Sequence, residues 1–278
     1  MAQHICNYTL SIITVTYNAE SELRKTIESI LSQEKIDGVK IEYIIQDGLS
    51  KDGTLSVASA YRDSLKKKGI AFRVYSEKDS GIYDAMNQGI RRATGKWICL
   101  LNAGDTFFDQ NSINNVKTYL EQSTSDVLYA DYCRINPYIK TMVKIPEMKE
   151  LRKTMIFCHQ AIFVRDYIYF KDMYDCRYKL VADYELMLRL YLRGYAFMHI
   201  PVCLIAYDTD GISAKSMIQT YREIFKIRRE KNVIDNIILE YCSFSVGIGK
   251  RFILANMPQR LRWHIFKVLK GPVYESKN

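Results

Sequence analysis

The first residue in this sequence whose position suggests chemistry is an aspartate that follows a short apolar segment. Residues 97–101 form a continuous apolar run that ends in the turn Asn102-Ala103-Gly104-Asp105. Such a run is typical of a strand buried on both faces of a parallel sheet. Ligands bind at the carboxyl ends of these strands, where a carboxylate can hold a divalent cation and, through it, a phosphate. Taken alone, Asp105 would more often only begin a turn, but the rest of the chain favours the functional interpretation.

A second aspartate lies near the predicted start of a helix. Residues 180–193 have helical periodicity, with Leu186, Leu190 and Tyr191 facing inward and Gly194 as the stop. Asp183 falls in the first turn, where the helix dipole favours a negative charge and lowers its affinity for a proton. The pattern therefore predicts either an ionised carboxylate available for chemistry or a helix cap that contributes about 1 kcal/mol.

Alternating strands and helices would position these carboxylates. The predicted strands are residues 10–17, 39–46, 70–75, 97–101 and 126–130, and the predicted helices are residues 20–33, 54–68, 83–92 and 111–122. This alternation predicts an α/β fold with a parallel, doubly wound sheet and right-handed crossovers. We expect residues 131–157 to form an irregular segment, followed by a turn and a strand at 157–164.

Composition restricts the classes of protein that fit. The 278 residues are 48% hydrophobic and carry a net charge of +9, which predicts a globular core and attraction to nucleotides, nucleic acid or anionic lipid. The seven cysteines include no C-x-x-C pair, and we expect them to be reduced core residues. We expect no signal peptide and no transmembrane helix. The first strand-to-helix turn lacks G-x-G-x-x-G, which disfavours a nicotinamide or flavin enzyme, and no Walker A motif occurs, which excludes P-loop ATPase chemistry.

The chain becomes basic and aromatic from Lys215 onward. Apolar and aromatic residues interleave there with lysines and arginines, a pattern that predicts amphipathic helices. These helices could lie on an anionic membrane surface. They could equally pack on the main domain and present a solvated basic face.

Six motifs occur in an order that is more specific than any one of them. They are SIITVTYN, EYIIQDGLSKDGT, SEKDSGIYDAMNQGIRRATG, KWICLLNAGD, CHQAIF and ADYELMLRLYLRG. Over about residues 9–213 they resemble the inverting family 2 glycosyltransferases, particularly the bacterial surface-polysaccharide type. The resemblance implies a GT-A fold, a Rossmann-like and mostly parallel sheet flanked by helices, here with a helical basic C-terminal extension.

The resemblance assigns the donor nucleotide to the ends of the first two strands. Thr16, Tyr17 and Asn18 resemble the segment that contacts the base and ribose, although Tyr17 could instead pack on the next helix. Asp47 resembles the carboxylate that accepts the N3 proton of uracil, which favours a uridine or thymidine donor. The residues that match the lining of the donor pocket are Asp79, Gly81 and Asp84.

The resemblance also assigns a metal ligand and a catalytic base. Asp105 matches the last carboxylate of a D-x-D-type motif that binds Mn²⁺ or Mg²⁺. Asn102 replaces the leading aspartate of that motif, so we expect weak affinity for free metal, and Asn102 could contact ribose or water. Asp183 matches the general base that deprotonates the acceptor hydroxyl. His159 would touch the acceptor or the diphosphate, or alternatively shape the wall of the site, and residues 207–213 correspond to a mobile loop over the donor.

The sequence thus predicts a cytoplasmic, metal-dependent inverting glycosyltransferase that can lie peripherally on the inner face of the cytoplasmic membrane. It would move a sugar from a UDP-linked donor to a glycan or lipid-linked glycan in polysaccharide biosynthesis. Residues 1–213 would form the catalytic domain and residues 214–278 the basic helical region.

Two alternatives come from other functional classes. The reduced metal motif suggests a catalytically silent glycosyltransferase-like scaffold, which the presence of Asp47, Asp105 and Asp183 disfavours. The charge of +9 suggests a nucleic-acid-binding protein. No recognised binding module supports that reading, and we expect no nucleic-acid partner.

Overall fold

A nine-stranded mixed sheet is the centre of the structure, a computed structural model that describes residues 6–34, 38–135, 140–208 and 217–234. The strands are β1 (Tyr8–Thr16), β2 (Ile41–Asp47), β3 (Ala71–Ser76), β4 (Gly95–Leu100), β5 (Thr106–Phe107), β6 (Val127–Ile135), β7 (Lys140–Met142), β8 (Ile162–Arg165) and β9 (Phe197–Asp208). The α-helices are α1 (Glu20–Leu31), α2 (Thr54–Ala60), α3 (Arg62–Lys67), α4 (Ile82–Arg92), α5 (Ser112–Gln122), α6 (Asp166–Lys171), α7 (Ala182–Leu192) and α8 (Met217–Glu230).

The predicted α/β class is confirmed, and the parallel pairing is concentrated in the first part of the chain. The strand order is β3-β2-β1-β4-β8-β6-β9-β5, with β7 paired to β6. Strands β3, β2, β1 and β4 are mutually parallel, and β9 runs parallel to β6. The connections between the first four strands contain helices, as parallel crossovers require.

The later part of the sheet departs from a uniformly parallel arrangement. The predicted fifth strand, observed as β6, does not pair with β4, because β8 lies between them and is antiparallel to both. In the described residues between β6 and β8 there are a short strand and two 3-10 turns, at Met148–Arg152 and His159–Ala161, and no α-helix. Without a crossover helix, this part of the chain returns in the antiparallel direction.

Strand β1 supplies the core on both faces of the sheet. Ile13 and Val15 belong to one apolar cluster, and Leu10 and Ile12 belong to the cluster on the opposite face. This alternation follows from the two-residue period of a strand. Since both faces are covered, the carboxyl end of β1 is the edge at which polar side chains can meet a ligand.

Helix α4 lies unusually close to β1. A Cβ atom on Gly89 would stand 2.6 Å from Ile13 Cγ2, so only glycine permits this approach. The contact fixes α4 against the sheet and places its first turn, which contains Tyr83 and Asp84, near the carboxyl edge. Glycine also ends α7, because Gly194 follows it at φ +79°.

Helix α8 begins the region that the sequence predicts to be basic and helical. It packs onto the main domain, where Ile227 is fully buried in the cluster that contains residues of α7. The remaining predicted C-terminal helices, beyond residue 234, and residues 209–213 of the predicted mobile loop lie outside the described residues. Among the helices that are described, none has the length and apolarity needed to cross a bilayer.

Candidate active site

The carboxyl ends of β1, β2 and β3 bring three polar residues together. Thr16 lies beside Asp47, and Asp47 lies beside Ser76 in the strand register. Asp47 is fully buried, and its carboxylate accepts hydrogen bonds from Ser50 N (3.0 Å), Ser50 Oγ (2.5 Å) and Ser76 Oγ (2.6 Å). Ser50 and Ser76, which the sequence did not single out, therefore fix the orientation of this carboxylate.

The turn after β1 is tied to the loop after β2. Asn18 adopts φ +46°, a left-handed conformation that asparagine tolerates better than most residues. Its Oδ1 accepts from Lys51 N (2.8 Å), while its own N donates to Ser50 Oγ (2.8 Å). The two loops thus hold each other in place at this edge of the sheet.

Gly48, in the loop after β2, lies between the exposed ring of Tyr17 and the carboxylate of Asp79. Tyr17 is 63% exposed, and a Cβ atom on Gly48 would lie 3.4 Å from its ring and 2.5 Å from Asp79 Oδ2. The exposure does not support packing of Tyr17 on the next helix, and the ring is free to cover a flat ligand. Because Gly48 has no side chain, its own backbone is not covered between the ring and the carboxylate.

Asp79 and Asp84 accept hydrogen bonds from the backbone just before α4. Asp79 Oδ1 accepts from Gly81 N (2.9 Å), and Asp84 Oδ2 accepts from Ser80 N (2.9 Å). Gly81, at φ +125°, allows the turn between them. These contacts give both aspartates a structural role, and any contact with a donor would be additional.

The loop after β4 is anchored by α1 and by the 3-10 turn at His159–Ala161. Thr26 Oγ1 contacts the carbonyls of Asn102 (3.2 Å) and Asp105 (2.9 Å). Asp105 Oδ2 accepts from Gln160 Nε2 (2.7 Å), and Gln160 Oε1 accepts from the Cys158 thiol (2.6 Å). Burial, reinforced by the charge of Asp105, raises the pKa of Cys158 above its ordinary value. The thiol therefore stays protonated and directs the amide of Gln160 toward Asp105.

His159 links the loop after β4 to the first turn of α7. Its Nε2 lies 3.1 Å from Asn102 Nδ2, and its Nδ1 lies 3.4 Å from Asp183 Oδ2. The amide of Asn102 can donate to Nε2, and Nδ1 is the ring nitrogen that faces Asp183. The histidine and aspartate side chains are 21% and 17% exposed, so a small group can still reach them.

Tyr83 holds Asp183 from the other side and was not identified from the sequence. Its hydroxyl lies 3.0 Å from the carbonyl oxygen of Leu180 and 3.1 Å from Asp183 Oδ1. Burial, followed by the charge of Asp183, raises the pKa of Tyr83 well above its ordinary value. The hydroxyl therefore remains protonated, and its single proton is shared between these two acceptors. A tyrosine close behind Gly81 at a predicted helix start was the available signal, but nothing in the sequence specified its partner.

The oxygen atoms at this edge suit a hard divalent cation. Thr16 Oγ1 and Asn102 Oδ1 are buried and have no hydrogen-bond partner among the described residues. Unpaired buried oxygens are rare in native proteins and call for a ligand or water. The described part of the chain contains no cluster of three His, Cys, Asp or Glu residues that could hold a metal by itself. Asp105 and Asn102 are therefore suited to share a cation with an oxygen-rich ligand such as a diphosphate.

The predicted site residues occupy two adjoining parts of the carboxyl edge. Thr16, Tyr17, Asn18 and Asp47 lie at the ends of β1 and β2, and Asn102, Asp105, His159 and Asp183 form a second group, linked by side-chain contacts of His159 and Gln160. Two backbone contacts join the parts, since Leu101 N and Ala103 N donate to the carbonyls of Ile13 (2.9 Å) and Val15 (3.4 Å).

The sequence of this chain matches a known family model and is similar to known proteins. Residues 11–196 match the family model described as Glycosyl transferase family 2. A PGL/p-HBAD biosynthesis glycosyltransferase of Mycobacterium bovis is 31% identical over 206 residues, which cover 72% of this chain and 77% of the relative. The putative teichuronic acid biosynthesis glycosyltransferase TuaG of Bacillus subtilis is 25% identical over 232 residues, covering 78% and 89%.

Solved structures share the architecture at lower identity. S. aureus TarS 1-349, crystallised in complex with UDP, has a TM-score of 0.60 and 16% identity over 79% of this chain. Mannosyltransferase PcManGT from Pyrobaculum calidifontis, in complex with GDP-Man and Mn²⁺, has a TM-score of 0.60 and 17% identity over 79% of this chain. In both cases the match spans 64% of the solved chain.

Proposed function

Because this chain belongs to glycosyl transferase family 2, we propose that it moves a sugar from a UDP-linked donor to a hydroxyl group, with inversion at the anomeric carbon. The GT-A fold expected from the sequence is confirmed by its solved neighbours. The observation that carries the proposal is the group of contacts at the carboxyl edge, in which His159 lies between Asn102 and Asp183 and the adjacent Gln160 contacts Asp105. It connects a carboxylate suited to a diphosphate, through two adjacent residues, to one suited to accept a proton.

Asp183 is the proposed general base. As the acceptor oxygen bonds to the anomeric carbon, the bond from that carbon to the diphosphate oxygen breaks on the opposite face, and the acceptor proton passes to Asp183. Tyr83 and His159 already hold this carboxylate from two sides, which supports a fixed geometry for proton transfer. A positioned base of this kind typically contributes about 10²- to 10⁴-fold.

The donor nucleotide is proposed to bind between Tyr17 and Asp47. A carboxylate has about four lone-pair sites, and three hydrogen bonds to Asp47 are present. A further site remains for the N3–H of uracil, a proton that neutral cytosine lacks. The proposed pocket is completed by Thr16, whose buried Oγ1 has no hydrogen-bond partner among the described residues, and by Tyr17, Asn18 and Asp84.

Asp105 and Asn102 would hold Mn²⁺ or Mg²⁺ together with the diphosphate. The cation would supply charge neutralisation as the nucleoside diphosphate departs. Gln160 keeps the Asp105 carboxylate oriented through its Nε2. With so few protein ligands, the metal would arrive with the nucleotide rather than bind alone.

Thermal unfolding with UDP, GDP, CDP and dTDP, each with and without Mn²⁺, tests the donor site. We expect UDP with Mn²⁺ to give the largest increase in unfolding temperature, since a ligand at a hundred times its Kd stabilises by about 2.7 kcal/mol. CDP is the matched control, because its base lacks the N3 proton and carries an amino group in place of the C4 oxygen of uracil. Equal shifts with UDP and CDP would rule out base reading by Asp47. No shift with any nucleotide would argue against the proposed function.

The acceptor is proposed to be a glycan or lipid-linked glycan at a membrane surface. The net charge of +9 and the exposed Arg222, Lys226 and Arg229 of α8 support attraction to anionic lipid. We expect the protein to co-sediment with vesicles containing phosphatidylglycerol at low salt and to be released as salt is raised. Phosphatidylcholine vesicles are the control, and failure to bind the anionic vesicles at low salt would remove the membrane from the proposal.

A further inference from the structure

Three consecutive backbone N–H groups before α7 converge on one carboxylate of α8. Lys179 N donates to Glu223 Oε1 (3.0 Å), and Leu180 N and Val181 N donate to Glu223 Oε2 (2.9 and 3.3 Å). Glu223 lies more than 40 residues later in the chain, so the contact depends on the docking of α8.

These N–H groups lie on the three residues that lead into α7. Val181 is the N-cap residue of α7, and its apolar side chain cannot accept a hydrogen bond. Lys179 and Leu180 precede it, so Glu223 binds the backbone at the entry to the helix and not the free N–H groups of its first turn. The carboxylate lies near the positive end of the helix dipole, and hydrogen bonds to an ionised acceptor are stronger than neutral ones. Glu223 thus ties the segment that precedes α7 to α8.

The 179–181 segment also leads directly to Asp183. Leu180 donates its N–H to Glu223 and accepts the Tyr83 hydroxyl at its carbonyl oxygen, so its peptide groups are held from both sides. The same hydroxyl lies 3.1 Å from Asp183 Oδ1. A shift of the 179–181 segment would therefore move Asp183 and disturb its contact with Tyr83.

Helix α8 has other attachments that do not involve this segment's N–H groups. Ile227 is fully buried in the main core. The Tyr178 hydroxyl donates to Glu230 Oε2 (2.5 Å), and Lys231 Nζ lies 2.7 Å from the buried Glu185. Loss of the Glu223 carboxylate should therefore leave α8 docked, which separates positioning from folding.

We propose that Glu223 is a positioning residue that fixes the general base Asp183 through the backbone of residues 179–181. The inference rests on the proposed function, in which Asp183 takes the acceptor proton. Glu223 lies outside residues 11–196, which are the residues that the family model matches. Glu223 does not touch the substrates. It acts through Leu180 and Val181.

The test compares Glu223→Gln with Glu230→Gln. Both changes remove one carboxylate charge from α8, but Glu230 contacts the Tyr178 hydroxyl instead of the 179–181 amides, and glutamine can still accept from that hydroxyl. The measurements are hydrogen exchange of the 179–181 amides, the unfolding temperature, and steady-state UDP release by transfer of the sugar to water from UDP-glucose, UDP-galactose and UDP-N-acetylglucosamine.

For Glu223→Gln we expect faster exchange at residues 179–181 and a decrease in kcat of about ten- to a hundredfold, as small misplacements of catalytic groups produce. The KM for the donor should stay within about twofold, because the donor residues lie on other loops. Glu230→Gln should leave exchange at these amides unchanged and kcat within about twofold.

Several outcomes would overturn the inference. They are unchanged exchange at residues 179–181, equal losses of kcat in both variants, and a raised KM with unchanged kcat. If the unaltered chain is active and Glu223→Gln is equally active, only this inference fails. If the unaltered chain neither releases UDP from any of the donors nor gains unfolding temperature with any nucleotide, the proposed function fails first and this inference falls with it.

Discussion

Replacing Asp183 with asparagine is expected to lower kcat by about 10²- to 10⁴-fold, the usual contribution of a positioned base. Asparagine has nearly the same shape and can still accept the Tyr83 hydroxyl that lies 3.1 Å from Oδ1. It cannot take up the acceptor proton at neutral pH. The measurement is turnover of the accepted UDP-sugar, together with the UDP-induced increase in unfolding temperature, which should be kept because donor residues are unchanged.

Asp175→Asn is the matched control for this change. Asp175 lies in the loop before α7 and pairs with Arg177 (2.6 Å), away from the contacts of His159 and Tyr83. We expect its kcat to stay within about twofold of the unaltered chain. Full activity in Asp183→Asn would remove Asp183 from the role of base.

Replacing Asp105 with asparagine is expected to abolish the Mn²⁺-dependent part of the stabilisation by UDP. The amide can still accept from Gln160 Nε2, so the local hydrogen bond is retained while the negative charge is lost. Charge stabilisation by a bound cation is worth several kcal/mol, so transfer should fall by about a hundredfold or more. Paired unfolding curves with UDP alone and with UDP plus Mn²⁺ provide the measurement.

Asp109→Asn controls for the loss of one charge near the same loop. Asp109 is exposed and accepts from Asn111 N (2.8 Å) at the start of α5. This variant should keep the Mn²⁺-dependent stabilisation. If Asp105→Asn keeps it too, the cation is held elsewhere, and the proposed role of Asp105 is wrong.

The elements that present the site were predictable because they depend on local patterns. The apolar run before Asn102 and the turn that contains Asp105 specify a buried strand and its carboxyl end, and parallel neighbours then share that edge. The helix after residue 180 was also predictable, although it begins at Ala182. The helix predicted over 54–68 is divided at Tyr61 into α2 and α3, a break for which the sequence has no Gly or Pro signal.

The contacts that orient the site were not predictable, because they join distant segments. Tyr83 and Asp183 are separated by 100 residues, and Gln160 and Asp105 by 55. Neither contact follows from propensity or periodicity, which describe neighbours in sequence. Glu185, a charged residue in the first turn of α7, is nearly fully buried and pairs with Arg189 (3.0 Å). Its burial depends on the packing of α7 against the rest of the fold.

The cross-links between the turn after β1 and the loop after β2 have a thermodynamic consequence. The backbone N–H groups of Asn18 and Lys51 are already hydrogen-bonded within the protein. Ordering a mobile loop on binding would subtract from affinity. Here that entropy is lost during folding, so a nucleotide bound as proposed would meet walls that are preorganised. Its affinity would then reflect mainly the new contacts that it makes and the water that it displaces.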